Sequence, residues 1–330
     1  MGKSTIIELR DVTKQFRRKV VLDRVNFKIM EGDIFGVIGL SGCGKTTLLS
    51  VMVGFIDPEE GEVLFRAKEM IDKFSEDGLK SVKHNLNEVK KTFGFAAQTP
   101  SFYPRLTVVE NLIHFGSLYG LSSHVLKSNI DQLLVLTGLE ESKHTLSHDL
   151  SGGMQKRLDI ACAMIHAPNV LILDEPTADL DPISRRQLWN LIRSINKRGT
   201  TILMSSHFLT EIELLCDNIA ILHDTAILES GAPDQLKHLY TKNEEIELES
   251  RPGDYGYILK KLNSSTSVKI EKSIVKNKRL IIYTPTAEKA LHHILHIMES
   301  RREKLVDINV NKPSLSEIFE SLVVDKKIKL

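Results

Sequence analysis

Cysteine is scarce. The 330-residue chain holds three, Cys43, Cys162 and Cys216. So few and so scattered, they form neither a disulfide framework nor a zinc cluster, and they fit a reducing compartment. An excess of either charge is lacking too. Lys and Arg number 44 against 43 Asp and Glu, a net charge of +1. That balance speaks against a general binder of nucleic acid or anionic membrane, and no nucleic acid is expected as a partner. Long apolar runs are also missing. The uncharged stretches 111–126 and 160–173 fall short of the ~18–20 apolar residues that span a bilayer. Glu8, Arg10 and Asp11 interrupt any leader-like run at the start. Ile6 stands where a myristoylation site needs Ser or Thr. What remains is 42% hydrophobic and 26% charged, an ordinary globular composition with enough chain for about two domains and a real core.

Residues 1–240 alternate strand-like runs with amphipathic helical patterns, the mark of an α/β domain. Residues 6–13 and 20–30 alternate apolar with polar and read as antiparallel strands with one wet face. Residues 34–38, 170–173 and 201–204 are nearly continuous apolar runs and read as buried parallel strands. Helical patterns lie at 45–53, 107–120, 123–137, 154–166, 182–197 and 207–216, with glycine stops at Gly54, Gly138 and Gly199. A break near 240–245 starts a second region, 241–330. There the expected order is β 245–249, α 254–262, β 267–271, β 279–283, α 286–301, β 305–310 and α 315–324, a ferredoxin-like α+β arrangement. Ser314 and Glu317 form a capping-box pattern for the last helix.

Gly39-Leu40-Ser41-Gly42-Cys43-Gly44-Lys45-Thr46 fits G-x-x-x-x-G-K-[ST] between an apolar strand and a helix. Glycines let backbone N–H groups turn toward phosphate oxygens, and the helix start adds its positive dipole end. Lys45 is placed to reach the β/γ-phosphates and Thr46 to ligate Mg²⁺. The similar Gly2-Lys3-Ser4-Thr5 has no strand ahead of it and is a decoy. Val170–Leu173 is an apolar strand ending in Asp174 and Glu175. Asp174 suits Mg²⁺, and Glu175 suits a general base for water. Leu150-Ser151-Gly152-Gly153-Met154 opens a further helix, with Ser151 as N-cap and two glycines leaving bare N–H groups, a second anion site.

With two phosphate cradles in one chain, the sequence resembles the ATP-binding subunits of ABC transporters. LSGG-M is similar to that family's LSGGQ signature. The resemblance covers about residues 5–235 and implies a P-loop NTPase fold of ABC type. That fold has a parallel-sheet core, an antiparallel β subdomain and a helical subdomain at about 100–168, here followed by the small C-terminal domain. It implies ATP and Mg²⁺ as cofactors, with Gly39 to Thr47 around the phosphates, Thr47 included. Phe16 falls where an aromatic stacks on adenine. Gln98 resembles the glutamine that senses Mg²⁺ and the attacking water. Asp181, in Ala178-Asp-Leu-Asp181, resembles the loop that meets the partner subunit. His207, after Ser205-Ser206, resembles the switch histidine at the γ-phosphate. Ser151, Gly152 and Gly153 are then expected to close over ATP held by a second copy or a homologous cassette, head to tail, with two MgATP between them.

Met154 stands where the signature has glutamine, leaving its backbone N–H, and Ala97 stands where proline is common. The Lys-rich stretch 66–92 reads as a solvated surface insertion. The family also implies a membrane permease partner and a place at the cytoplasmic face of the membrane. Phe102, Tyr103 and Leu106 are candidate permease contacts, with loop packing as the plain alternative. The segment Val310 to Phe319 resembles the ending of exporter ATPases. The competing reading is a soluble ABC ATPase acting on ribosome or DNA. Against it stand a single phosphate loop and the absence of sustained heptads. Cys43, at a helix start, is where a thiol pKa can fall, with no use expected of it. His292, His293 and His296 read as a surface helix rather than a metal site.

Overall fold

The structure is a computed structural model and describes residues 3–67, 78–240, 244–264, 268–276 and 279–311. The expected helix 315–324, its capping pair Ser314 and Glu317, and most of the exporter-like ending lie outside the described residues. So do residues 68–77 of the Lys-rich stretch. The chain divides into two compact units, Met1–Ala232 and Pro233–Leu330.

The first unit opens on β1 (Thr5–Phe16) and β2 (Lys19–Met30), an antiparallel pair whose alternation buries Ile7, Leu9, Leu22 and Val25. Next comes β3 (Ile34–Ile38), buried along its whole length, then the glycine loop and α1 (Lys45–Met52). β4 (Glu60–Phe65) and the two-residue β5 (Lys80–Ser81) complete an antiparallel sheet of order β2-β1-β4-β5. α2 (Leu86–Thr92) leads into the short β6 (Phe93–Ala96). α3 (Val108–Leu118), α4 (Ser123–Thr137) and α5 (Gly152–Met164) then pack around a core that includes Leu112, Leu139, Leu158 and Ile165. Phe102 belongs to that core, so of the three candidate permease contacts only Tyr103 is well exposed. Loop and helix packing, the plain alternative, accounts for the burial of Phe102.

β7 (Val170–Asp174), α6 (Pro182–Lys197), β8 (Thr201–Ser206), α7 (Leu209–Leu215), β9 (Asn218–His223) and β10 (Ala226–Gly231) follow. Among the described residues they form with β3 and β6 a six-stranded sheet, order β10-β9-β3-β8-β7-β6, parallel except for β10. Side chains of α1, β1 to β4 and the parallel strands share one apolar core. The helices expected from periodicity are observed to within about two residues of their bounds. Gly138 caps α4 in the left-handed conformation that glycine adopts freely.

The order of strands positions the chemistry. β8 lies between β3 and β7. The carboxyl ends of three adjacent strands therefore carry the glycine loop, Ser205–His207 and Asp174–Glu175 side by side, as ligand sites in parallel sheets require.

The second unit holds α8 (Pro233–Tyr240), β11 (Glu244–Arg251), α9 (Tyr255–Asn263), β12 (Lys272–Lys276), β13 (Arg279–Thr284), α10 (Ala287–Arg301) and β14 (Lys304–Asn311). Its sheet is antiparallel throughout, order β12-β13-β11-β14, the split β-α-β arrangement expected. The strand expected at 267–271 is displaced. Val268 drops into the core instead, and pairing with β13 runs from Lys272, where it forms a hairpin. Among the described residues no helix is long and apolar enough to cross a membrane, and no group of three or more His, Cys, Asp or Glu is placed to hold a metal.

Candidate active site

The glycine loop is shaped by what its glycines permit. Gly42 takes φ +78 with open space on the side where a Cβ would project. A Cβ on Gly39 would sit 2.4 Å from the Leu222 carbonyl, so the loop lies directly against β9. Leu40, Ser41 and Gly42 are exposed, Cys43 and Thr47 half-buried. Such an open backbone concavity at the start of α1 suits phosphate oxygens.

Lys45 is buried, 5% exposed. Its Nζ donates to Gly39 O at 2.9 Å and Leu40 O at 3.2 Å, and pairs with Glu175 Oε1 at 3.1 Å. Glu175 Oε2 accepts from His207 Nδ1 at 2.6 Å. Glu175 itself sits at φ +46, a left-handed backbone that costs a non-glycine residue about 1–3 kcal/mol and tends to be kept where function needs it. Burial pushes its carboxyl pKa up, but Lys45 and then His207 outweigh that and hold it below the usual carboxylate range.

Asp174, 1% exposed, accepts from Thr46 Oγ1 at 2.7 Å and from Ser205 Oγ at 2.6 Å. Ser205 Oγ in turn accepts from the backbone N–H of Glu175 at 2.8 Å. A hydroxyl and a carboxylate oxygen at the edge of a phosphate cradle are the hard donors that Mg²⁺ takes alongside phosphates, so the residues present fit that ion.

Three of the candidate side chains, each following the end of a different strand, thus meet: Lys45, Glu175 and His207. Thr46 and Asp174 join them. The other expected residues make contacts of their own. Phe16 is exposed at the end of β1, with Lys14 Nζ 5.3 Å from its ring centroid. Gln98 is exposed, and its carbonyl accepts from Lys156 Nζ on α5. Asp181 caps α6, accepting from Ile183 N at 2.9 Å and Ser184 N at 3.0 Å.

Ser151 caps α5, accepting from Met154 N at 3.3 Å. The Met154 N–H is therefore engaged by the cap, while the exposed Gly152 and the half-buried Gly153 begin the helix. Among the described residues, no hydrogen bond or ion pair joins Ser151, Gly152 or Gly153 to the glycine loop of the same chain. The reactivity suggested for Cys43 by its place at a helix start is reversed, because burial pushes its thiol pKa up.

Sequence reasoning did not single out Ser205 as the clamp between Asp174 and Glu175, nor Thr177, Trp189 and Glu211, which lie behind them. Thr177 follows β7 in a loop, while Trp189 and Glu211 lie on two different helices, and nothing in their spacing marks them as a group.

A sequence profile of the family described as ABC transporter matches residues 22–178. The bacitracin transport ATP-binding protein BcrA of Bacillus licheniformis is 38% identical over 246 residues, 74% of this chain and 76% of that protein. The Nod factor export ATP-binding protein I of Burkholderia lata is 34% identical over 230 residues, 70% of this chain and 72% of that one. A probable multidrug ABC transporter ATP-binding protein of Escherichia coli, YbhF, is 33% identical over 73% of this chain, which spans 39% of that longer protein. Among solved structures, an ATP-binding subunit of an ABC transporter superposes with a TM-score of 0.62 at 27% identity, covering 72% of this chain and 93% of that one. The cbiO1 protein of Clostridium perfringens, described as part of the transporter complex cbiONQ, matches with TM-score 0.62 and 27% identity over 71% of this chain and 91% of its own.

Proposed function

The chain belongs to the ATP-binding proteins of ABC transporters, and on that premise we propose that it hydrolyses ATP to drive a membrane exporter. In this reading it closes head to tail with a second cassette over two MgATP. One observation carries the reading: Glu175, on strained backbone, is held between Lys45 and His207 at the mouth of a glycine cradle.

Lys45 exchanges its bond to Glu175 for phosphate oxygens when nucleotide enters. Glu175 then loses the cation that keeps its carboxyl acidic, while its partial burial remains. Its proton affinity rises, which is what a general base for water needs. His207, released from Glu175, is free to donate toward the γ-phosphate and stabilise the charge that develops there. Thr46 and Asp174, with Gln98 alongside, would hold Mg²⁺, which screens phosphate charge when bound. Ser151, Gly152 and Gly153 supply the second cradle to the partner's nucleotide; among the described residues no bond ties them to the chain's own glycine loop. Phe16 offers an exposed aromatic face for adenine.

An exporter is favoured because the relatives named above serve bacitracin transport, Nod factor export and multidrug transport. With no membrane-crossing helix among the described residues, the chain is read as docking on a separate permease at the cytoplasmic face.

The Glu175→Gln substitution tests the mechanism. It keeps a side chain that hydrogen-bonds but cannot take up a proton. ATP affinity stays within a few-fold, turnover falls by about 10²–10⁴, and light scattering shows a MgATP-dependent dimer. Turnover near the wild-type rate removes Glu175 from the role of base. A monomer under all conditions removes the paired cassette.

A further inference from the structure

Glu211, in the first turn of α7, is 1% exposed. A buried carboxylate without a cation is costly unless its lone pairs are filled. Three side chains fill them. Oε2 accepts from Thr177 Oγ1 at 2.7 Å and from Ser206 Oγ at 2.8 Å. Oε1 accepts from the indole Nε1 of Trp189 at 2.5 Å. Among the described residues no Lys, Arg or His forms an ion pair with it.

The donors are informative. Thr177 lies two residues after Glu175, and Ser206 lies immediately before His207. Both are buried. Ser206 Oγ also accepts from Phe208 N at 3.0 Å, so it spans His207 from both sides. Trp189 anchors the cluster to α6. Glu175 and His207 are therefore joined twice, directly through their side chains and behind them through Thr177, Glu211 and Ser206.

We propose that Glu211 is a positioning residue that fixes the loop of Glu175 against the loop of His207, and that Trp189 reads out its state. This rests on the ATPase reading above. An ionised carboxylate only accepts, so it aims all three donors at one point. An amide breaks this arrangement, because its NH₂ group must either face the indole N–H, donor against donor, or make the two hydroxyls turn from donors into acceptors.

Trp189 is the only tryptophan of the chain, which gives the cluster its own optical signal. In the full-length protein, Glu211→Gln is expected to keep its far-ultraviolet circular dichroism and to bind ATP within about threefold of wild type. Its kcat is expected to fall about 10- to 100-fold, as loss of alignment does, and its Trp189 emission to shift. Thr177→Val is expected to lower kcat likewise and to add little on top of Glu211→Gln, since both break one unit. Thr177→Ser, which restores the donor, is expected to recover most of the turnover.

Wild-type kcat in Glu211→Gln overturns the proposal, as does a full additive loss in the double variant. Should Glu211→Gln fail to fold, the Thr177→Val and Thr177→Ser pair decides by the same kcat test. Absence of ATP turnover in the wild-type chain overturns the ATPase reading itself. Normal wild-type turnover with an indifferent Glu211→Gln overturns the positioning role alone.

Discussion

At the scale of single residues, a partly buried acid and a buried one respond to pH in opposite directions. Glu175 is held below the usual carboxylate range once Lys45 and His207 outweigh its burial. Its ionised form therefore favours the folded state, a contribution present above the unfolded carboxylate value and lost as pH falls through the lowered one. Asp159 on α5 does the reverse. Burial raises it to about 6, against the Ser101 N–H and Lys156 that favour the charge. One of its oxygens accepts from Ser101 N at 2.8 Å, and the other, also buried, has no hydrogen-bond partner. Keeping Asp159 charged above pH 6 thus costs the folded state about 3 kcal/mol, a cost that shrinks as pH falls toward 4. The segment it holds follows Gln98, so that cost maintains a tie between α5 and the nucleotide site. Asp159→Asn is expected to raise the melting temperature at pH 8, with about half the gain at pH 5. Thermal melts of both proteins at the two pH values check this, and an equal gain at both rejects the titration.

At the scale of elements, Asp181 shows how one side chain can serve a helix and an interface at once. Its carboxylate caps α6 through two backbone N–H groups, and the proposed dimer places the same loop against the partner cassette. Asn caps a helix as well as Asp does, whereas Ala does not. Asp181→Ala is expected to lower the melting temperature by about 2–4 °C, and Asp181→Asn to leave it unchanged. If the charge matters to pairing, Asp181→Asn in the Glu175→Gln background still weakens the MgATP-dependent dimer in light scattering. An unchanged dimer confines Asp181 to capping. Elements also show what could be read ahead of the structure. β3, β7 and β8 were legible because buried parallel strands are continuous apolar runs, and the glycine loop because its backbone demands fall on adjacent residues. β6 was not, since four residues carry no usable period. β12 was misplaced by several residues, because Val268 and Ile270 continue the alternation while the hairpin with β13 fixes where pairing starts. The cluster around Glu211 left no trace in the sequence. Its donors at 177, 189 and 206 converge only when α6, α7 and β8 pack.

At the scale of the whole molecule, the two units carry separate cores. Ile172, Leu203 and Leu222 belong to the core of the first, and Ile246, Ile258, Ile282 and Ile294 to that of the second. Every residue proposed to touch nucleotide lies in the first unit. Ligand stabilises only what it binds in the folded form, by about 2.7 kcal/mol at a hundred times its dissociation constant. Calorimetry of Glu175→Gln, chosen to prevent turnover, is therefore expected to show two unfolding transitions. Saturating MgATP should raise one by a few degrees and leave the other in place. The assignment can be made independently. Ile294→Ala empties a fully buried position on α10 and is expected to cost about 2–5 kcal/mol, lowering only the transition that MgATP ignores. If instead one transition moves with both MgATP and Ile294→Ala, the units unfold together, and the C-terminal unit then senses the nucleotide state of the cassette through that shared cooperativity.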